Sequence, residues 1–177
     1  HVVGTQTVTV VSTGYSDATV SQPIGAGLAS KLAMNTQPTA PAVNGGAFAV
    51  QPNVFIQDQY GNATTSTATV TANTGSGSWA PGGNTTANGV NGTATFSGLT
   101  AGSASAVTGA TINFTSPGLS PVTSGTFNIP APLADHLAFV NVPTDGVTNS
   151  YLNSFTVEAR RPDNSVDNTF TGSIVIS

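Results

Sequence analysis

Side chains able to do chemistry are sparse in this chain. Tyrosines apart, the titratable set is two histidines (His1, His136), Glu158, six aspartates and three cations, Lys31, Arg160 and Arg161. General acid–base or nucleophilic catalysis requires such a group held within reach of a partner. His1 opens the sequence, His136 borders a strand-like run, and residues 28 to 132 contain no histidine. Ser and Thr supply about a quarter of the chain, yet none has the context of a nucleophile elbow. The residue types predict no catalytic site, no metal and no cofactor.

Four patterns compete with that reading. Asp163-Asn164-Ser165-Val166-Asp167-Asn168 offers oxygens of the kind calcium takes. It lacks the Gly and the distal Glu of the helical calcium loop, and short Asp/Asn runs are ordinary turns, so it is read as a turn. Trp79, in Gly77-Ser78-Trp79-Ala80-Pro81, could stack on a sugar ring; the alternative, a loop aromatic folded over a sandwich end or packed at an interface, is preferred. Asp58 stands where a strand meets a turn, and there it accepts hydrogen bonds from the turn amides. The patterns at Asn62, Asn84, Asn91 and Asn113 fit N-glycosylation, but about four such matches arise by chance at this composition.

Charge and composition exclude more. The net charge is −4 and only 6% of residues are charged, so the chain lacks the cations that displace counterions from a duplex; nucleic acid is excluded as a partner. No apolar run approaches the roughly 18 residues of a membrane helix. Zero cysteine removes disulfides, thiolate chemistry and Cys-based zinc sites together. Disorder is disfavoured because it normally needs high net charge and few β-branched residues. A cysteine-free, Thr-rich chain of this kind is typical of bacterial surface and secreted proteins. The first residue is His rather than Met, which is read as a mature product or a window cut from a longer polypeptide.

The elements that must position these residues are strands. Val54-Phe55-Ile56-Gln57-Asp58 alternates with period two and stops at Gln59-Tyr60-Gly61-Asn62, where Gly and Asn tolerate positive φ. Further strands are predicted near 8–11, 18–24, 31–35, 47–50, 68–72, 92–97, 106–115 and 123–129, with loops at 73–78 and 81–84. No apolar stripe at helical spacing is longer than a turn.

The chain also repeats itself. Thr9–Ser16 answers to Ile112–Ser120, and Val20–Ile24 to Gly125–Pro130. Lys31–Pro38 answers to His136–Pro143 at an offset of 105, and Asn53–Asn62 to Phe155–Asn164 at 102. A period near 104 residues predicts tandem domains: residues 1–27 as the last strands of one repeat, 28–132 as a whole repeat and 133–177 as the opening strands of another. Short strands without helices, in units of about 100 residues, predict an all-β fold of tandem immunoglobulin-like sandwiches.

The order Leu32-Ala33, Gln37-Pro38, Asp58-Gln59-Tyr60-Gly61-Asn62, Ala68-Thr69-Val70-Thr71, Gly92-Thr93-Ala94-Thr95-Phe96, Phe114-Thr115-Ser116-Pro117-Gly118-Leu119 resembles the bacterial immunoglobulin-like repeats of invasin-type adhesins and giant cell-surface proteins. The resemblance implies a stalk or extracellular filament of stacked sandwiches without catalytic residues, its partners being copies of itself, neighbouring repeats, or host and surface glycans. In the last copy Arg161-Pro162-Asp163-Asn164 replaces the Asp58 and Gly61 types, so a role tied to that aspartate is not general. The linkers Gly25-Ala26-Gly27 and Ala131-Pro132 are too short for freely swinging domains. Partial repeats at both ends would leave apolar faces and strand edges open, which predicts either a longer repetitive polypeptide or head-to-tail strand complementation. A carbohydrate-binding module is the second reading, and an accessory domain of a hydrolase the third.

Overall fold

A computed structural model of the chain describes residues 3–142 and 154–175. His1, named above as a titratable residue, and Pro143, used in the repeat comparison, lie outside them. Every regular element among the described residues is a strand, and the sheets are antiparallel. Accordingly, no helix there is long and apolar enough to cross a membrane.

A first hairpin joins β1 (Gly4–Val10) to β2 (Ala18–Ile24). Twelve strands follow between Lys31 and Ile129: β3 (Lys31–Thr36), β4 (Thr39–Pro41), β5 (Phe48–Val50), β6 (Asn53–Gln57), β7 (Thr69–Ser76), β8 (Ala80–Gly83), β9 (Thr86–Val90), β10 (Thr93–Thr95), β11 (Leu99–Gly102), β12 (Val107–Thr115), β13 (Val122–Thr123) and β14 (Phe127–Ile129). A last hairpin joins β15 (His136–Val140) to β16 (Thr156–Arg160).

The main sheet runs β13-β12-β7-β9-β10-β6-β3, with β14 also on β12. Its two ends meet. Lys31 and Ser120 form a parallel bridge in which Leu32 N donates to Ser120 O and Ser120 N to Ser30 O, both at 2.9 Å. The sheet thereby curls into a sandwich with barrel-like closure, and the small sheets β4–β5 and β8–β11 complete it.

Strand periodicity places the core. Val54 and Ile56 of β6 point inward with no exposed surface, while Asn53, Phe55 and Gln57 between them are half-buried. In β12 the inward set is Ala110, Ile112 and Phe114, and Phe114 lies 5.2 Å from Phe96 between ring centroids. Among the described residues, the buried hydrophobic cluster runs from Leu32 to Ile129, with Ala29 packed against it.

Two predicted loops are strands instead. Residues 73–76 belong to β7, and residues 81–83 to β8, which pairs with β11 from Leu99↔Gly83 to Gly102↔Ala80. Their Gly, Asn and Pro residues mimic loop composition because the backbones crowd there: a Cβ on Gly83 would lie 2.1 Å from Gly98 O. The predicted strand 123–129 is split into β13 and β14, since Ser124 Oγ accepts from Ile112 N in place of a ladder bond. The short strands β4, β9 and β11 were not foreseen, being three to five residues long.

Candidate functional site

Asp58 closes the corner after β6. Its Oδ1 accepts from Tyr60 N and Asn62 N, and its Oδ2 from Gly27 N, all at 2.9 Å, and from Asn62 Nδ2 at 2.8 Å. The Asn62 side-chain amide and then these backbone donors outweigh the cost of burial and hold the carboxyl at about 2, below its ordinary 3.8. Both oxygens serve the turn, so Asp58 ties the corner to the Gly25–Gly27 linker.

A second corner reproduces this one bond for bond. Ser30 N→Gln57 O, Asp58 N→Asn62 O, Gly61 N→Asp58 O and Thr64 N→Ile56 O have counterparts in Asp135 N→Arg160 O, Arg161 N→Ser165 O, Asn164 N→Arg161 O and Asp167 N→Ala159 O. The bridge Gln57↔Ala63 likewise matches Arg160↔Val166. Gly61 and Asn164 take the same left-handed conformation, at φ 89° and 64°. From β6 onward the bonds coincide at a spacing of 103 residues (Gly61 to Asn164), one more than side-chain identity suggested. Asn164 therefore stands in for Gly61 rather than Asn62, and Arg161 for Asp58.

The chemistry at that position is inverted. Gly27 offers an N–H, which Asp58 accepts; Pro132, the linker residue before the second corner, has none. Arg161 instead donates from Nε to Pro132 O at 2.9 Å, and its remaining nitrogens donate to Val166 O and Asp167 Oδ1. Asp167 also takes Thr169 N and Oγ1 on Oδ1 and Ala134 N on Oδ2. The Thr169 hydroxyl leads the contacts that lower its pKa, and the Ser165 hydroxyl does the same for Asp163. The Asp163–Asn168 run is thus placed as a turn whose carboxylates accept bonds from their own loop and, at Asp167, from Arg161 and the linker amide of Ala134.

The other candidates are scattered. Trp79 is buried between β7 and β8, donates from Nε1 to Ser76 O at 2.8 Å and meets Phe127 edge-on at 5.4 Å, so its ring is not presented for stacking. His136 pairs with the adjacent Asp135, both about half exposed, and Glu158 with Arg160 on β16. No group of three or more His, Cys, Asp or Glu able to hold a metal occurs among the described residues.

What the described surface does present is apolar hairpin faces. β1–β2 carries Thr5, Thr7 and Thr9 on one face and Val8, Val10 and Val20 on the other, these three valines being 59–66% exposed. Its register coincides with β12–β13 at a spacing of 104: Val10↔Ala18 and Thr9↔Thr19 match Phe114↔Val122 and Asn113↔Thr123. The turn bonds Tyr15 N→Ser12 O and Leu119 N→Ser116 O match as well. Val8 and Val10 thus hold the places of Ile112 and Phe114, which are fully buried.

The last hairpin behaves alike. Leu137 and Phe139, 51% and 66% exposed, hold the places of Leu32 and Met34 and line a recess of about 260 Å³ with Phe155, Val157, Ile174 and Val175. Periodicity gave no sign that these residues would stay uncovered; only the repeat boundaries pointed to it. No protein-family model matches this chain, and no curated protein matches it.

Proposed function

We propose that this chain is a structural or adhesive repeat segment of a secreted or cell-surface protein, built from tandem immunoglobulin-like β-sandwiches and forming a stiff stalk or extracellular filament. Residues 28–132 make one complete repeat, 1–27 the closing strands of the repeat before it and 133–177 the opening strands of the next. The observation that carries this reading is the bond-for-bond agreement of the Asp58 and Arg161 corners. Two turns that share four backbone bonds, a bridge and a positive φ while differing in charge at the shared position indicate copying of a backbone, with side chains free to drift. Copied sandwiches with linkers of a few residues, each linker tied to its sandwich by Asp58 or Arg161, stack into a rod and not a string of loose beads.

The test is electron microscopy of the full-length protein. Beaded rods with a repeat of roughly 40–50 Å, the length of a sandwich whose strands rise about 3.3 Å per residue, are the expected image. Dispersed globules without a repeat would refute the stalk. Tight binding of a defined glycan by such globules would instead favour the carbohydrate-binding reading.

A further inference from the structure

Asn44 grips the linker between the central sandwich and the hairpin that follows it. In Pro130-Ala131-Pro132 two residues have no N–H, so what the linker offers neighbouring side chains is chiefly carbonyl oxygens. A donor reaches it from each side. Arg161 Nε, at the corner after β16, donates to Pro132 O at 2.9 Å, and Asn44 Nδ2, in the turn between β4 and β5, donates to Pro130 O at 2.8 Å. Ser103 orients the Asn44 amide: its N donates to Oδ1 at 3.1 Å and its Oγ accepts from Nδ2 at 2.9 Å. Both amide hydrogens and the carbonyl of this side chain are therefore in use.

The next residue is Gly45. Asn-Gly is the step at which a backbone nitrogen most readily attacks the preceding side chain, because no Cβ stands in its way. The sequence has three such steps, Asn44-Gly45, Asn88-Gly89 and Asn91-Gly92. Each glycine N–H is bonded, Gly45 to Ala101 O at 2.8 Å, Gly89 to Ala68 O at 3.0 Å and Gly92 to Ser66 O at 3.2 Å. Room to turn is what separates them. Gly89 and Gly92 are buried, and a Cβ on each would lie 2.6 Å from Ser66 O and 2.1 Å from Thr64 O, so neighbouring backbone blocks rotation there. Gly45 is exposed in its turn, with nothing within 4 Å of the same position.

We propose that Asn44-Gly45 is a site of spontaneous deamidation, and that this change releases the linker from the central sandwich. Once its bond to Ala101 O opens, Gly45 N attacks Asn44 Cγ. The new N–C bond closes a cyclic imide, the Cγ–Nδ2 bond breaks, and the amide leaves as ammonia with the proton given up by Gly45 N. Water then opens the imide to aspartate or isoaspartate. Aspartate keeps an acceptor for Ser103 N but turns a carboxylate toward Pro130 O, two acceptors with no donor between them; isoaspartate lacks the donor as well. The change is irreversible, so the joint loosens with the age of the molecule. Its effect on the joint rests on the repeat reading above and adds a regulation to it.

The test uses the whole chain. During incubation at mildly alkaline pH, peptide mapping by mass spectrometry should find conversion at Asn44 on the order of tenfold ahead of Asn88 and Asn91, whose glycines are freed only when β9 and β10 open. With no cysteine in the chain, spin labels on Ser97→Cys and Asn168→Cys, both exposed, read the joint as a distribution of distances. That distribution should be narrow in fresh protein and about twofold broader or more in Asn44→Asp and in aged protein alike. Fluorescence of Trp79, the sole tryptophan, should match between fresh, aged and Asn44→Asp protein, because the central sandwich stays folded. Equal conversion at the three steps, or none at Asn44, would overturn the site. An equally narrow distribution in Asn44→Asp and in aged protein would overturn its effect on the joint. Neither result touches the stalk reading, which fails only if the full-length protein shows no beaded repeat.

Discussion

Asp58 and Arg161 secure the same backbone corner with opposite charges, and the residue that decides between them is the linker partner. A carboxylate suits Gly27, which has an N–H to give; a guanidinium suits Pro132, which has only a carbonyl. In Asp58→Asn the amide NH2 would face N–H donors that now bond the second oxygen, so Tm should drop by a few degrees, measured by thermal melting at neutral pH. The pH dependence has a fixed sign. The folded carboxyl is held at about 2, below its ordinary 3.8, so its contribution is fully present above 3.8 and is lost as pH falls through about 2. The stability gap between wild type and Asp58→Asn should therefore hold from pH 7 to 5 and close on acidification below 3.8. A gap that widened in acid would contradict the assigned bonds. That Asp58 fixes the corner was legible in the sequence, because an aspartate before Tyr-Gly-Asn has few other acceptor roles. Its reach to Gly27, across 31 residues, was not.

At the level of strands, crowding between backbones decides which glycines are indispensable. Gly92, at φ 73°, passes so close to Thr64 that a Cβ would lie 2.1 Å from its carbonyl oxygen, whereas Gly118, at φ 76°, faces open space. Gly118→Ala should cost about 1–2 kcal/mol for the left-handed backbone alone, and Gly92→Ala clearly more, read from urea midpoints at constant m. Aromatic truncations separate in the same way. Phe114→Ala empties the middle of the core and should cost about 3–5 kcal/mol, while Phe139→Ala, two-thirds exposed, should leave the main unfolding transition unmoved. The long alternating strands β6 and β12 were readable from the sequence because burial enforces period two. β8 was not, because Ala80-Pro81-Gly82-Gly83 is chosen for close approach to β11 and has the composition of a loop. The exposed faces of β1–β2 and β15–β16 were legible only from the repeat boundaries, because composition records which residues suit a sandwich interior, whatever covers them.

Across the whole molecule, burial is concentrated in one place. Among the described residues the buried core cluster runs from Leu32 to Ile129, and an isolated two-stranded hairpin is marginal in water. Opening free energies should then fall into tiers that native-state hydrogen exchange can resolve. Ile112 N, bonded to Ser124 Oγ, and Phe96 N, bonded to Pro52 O, should exchange only by global unfolding. The amides of β1 and β2, a two-stranded hairpin outside the core cluster with a Thr7–Ser21 hydroxyl contact, should exchange fastest in dilute solution. β15–β16 should fall between them, because Arg161 binds its corner to Pro132, Val166 and Asp167. Uniform protection from β1 to β16 in dilute solution would mean that the hairpins unfold with the central sandwich as one unit, and the exposed valines and Phe139 would then need a different physical explanation.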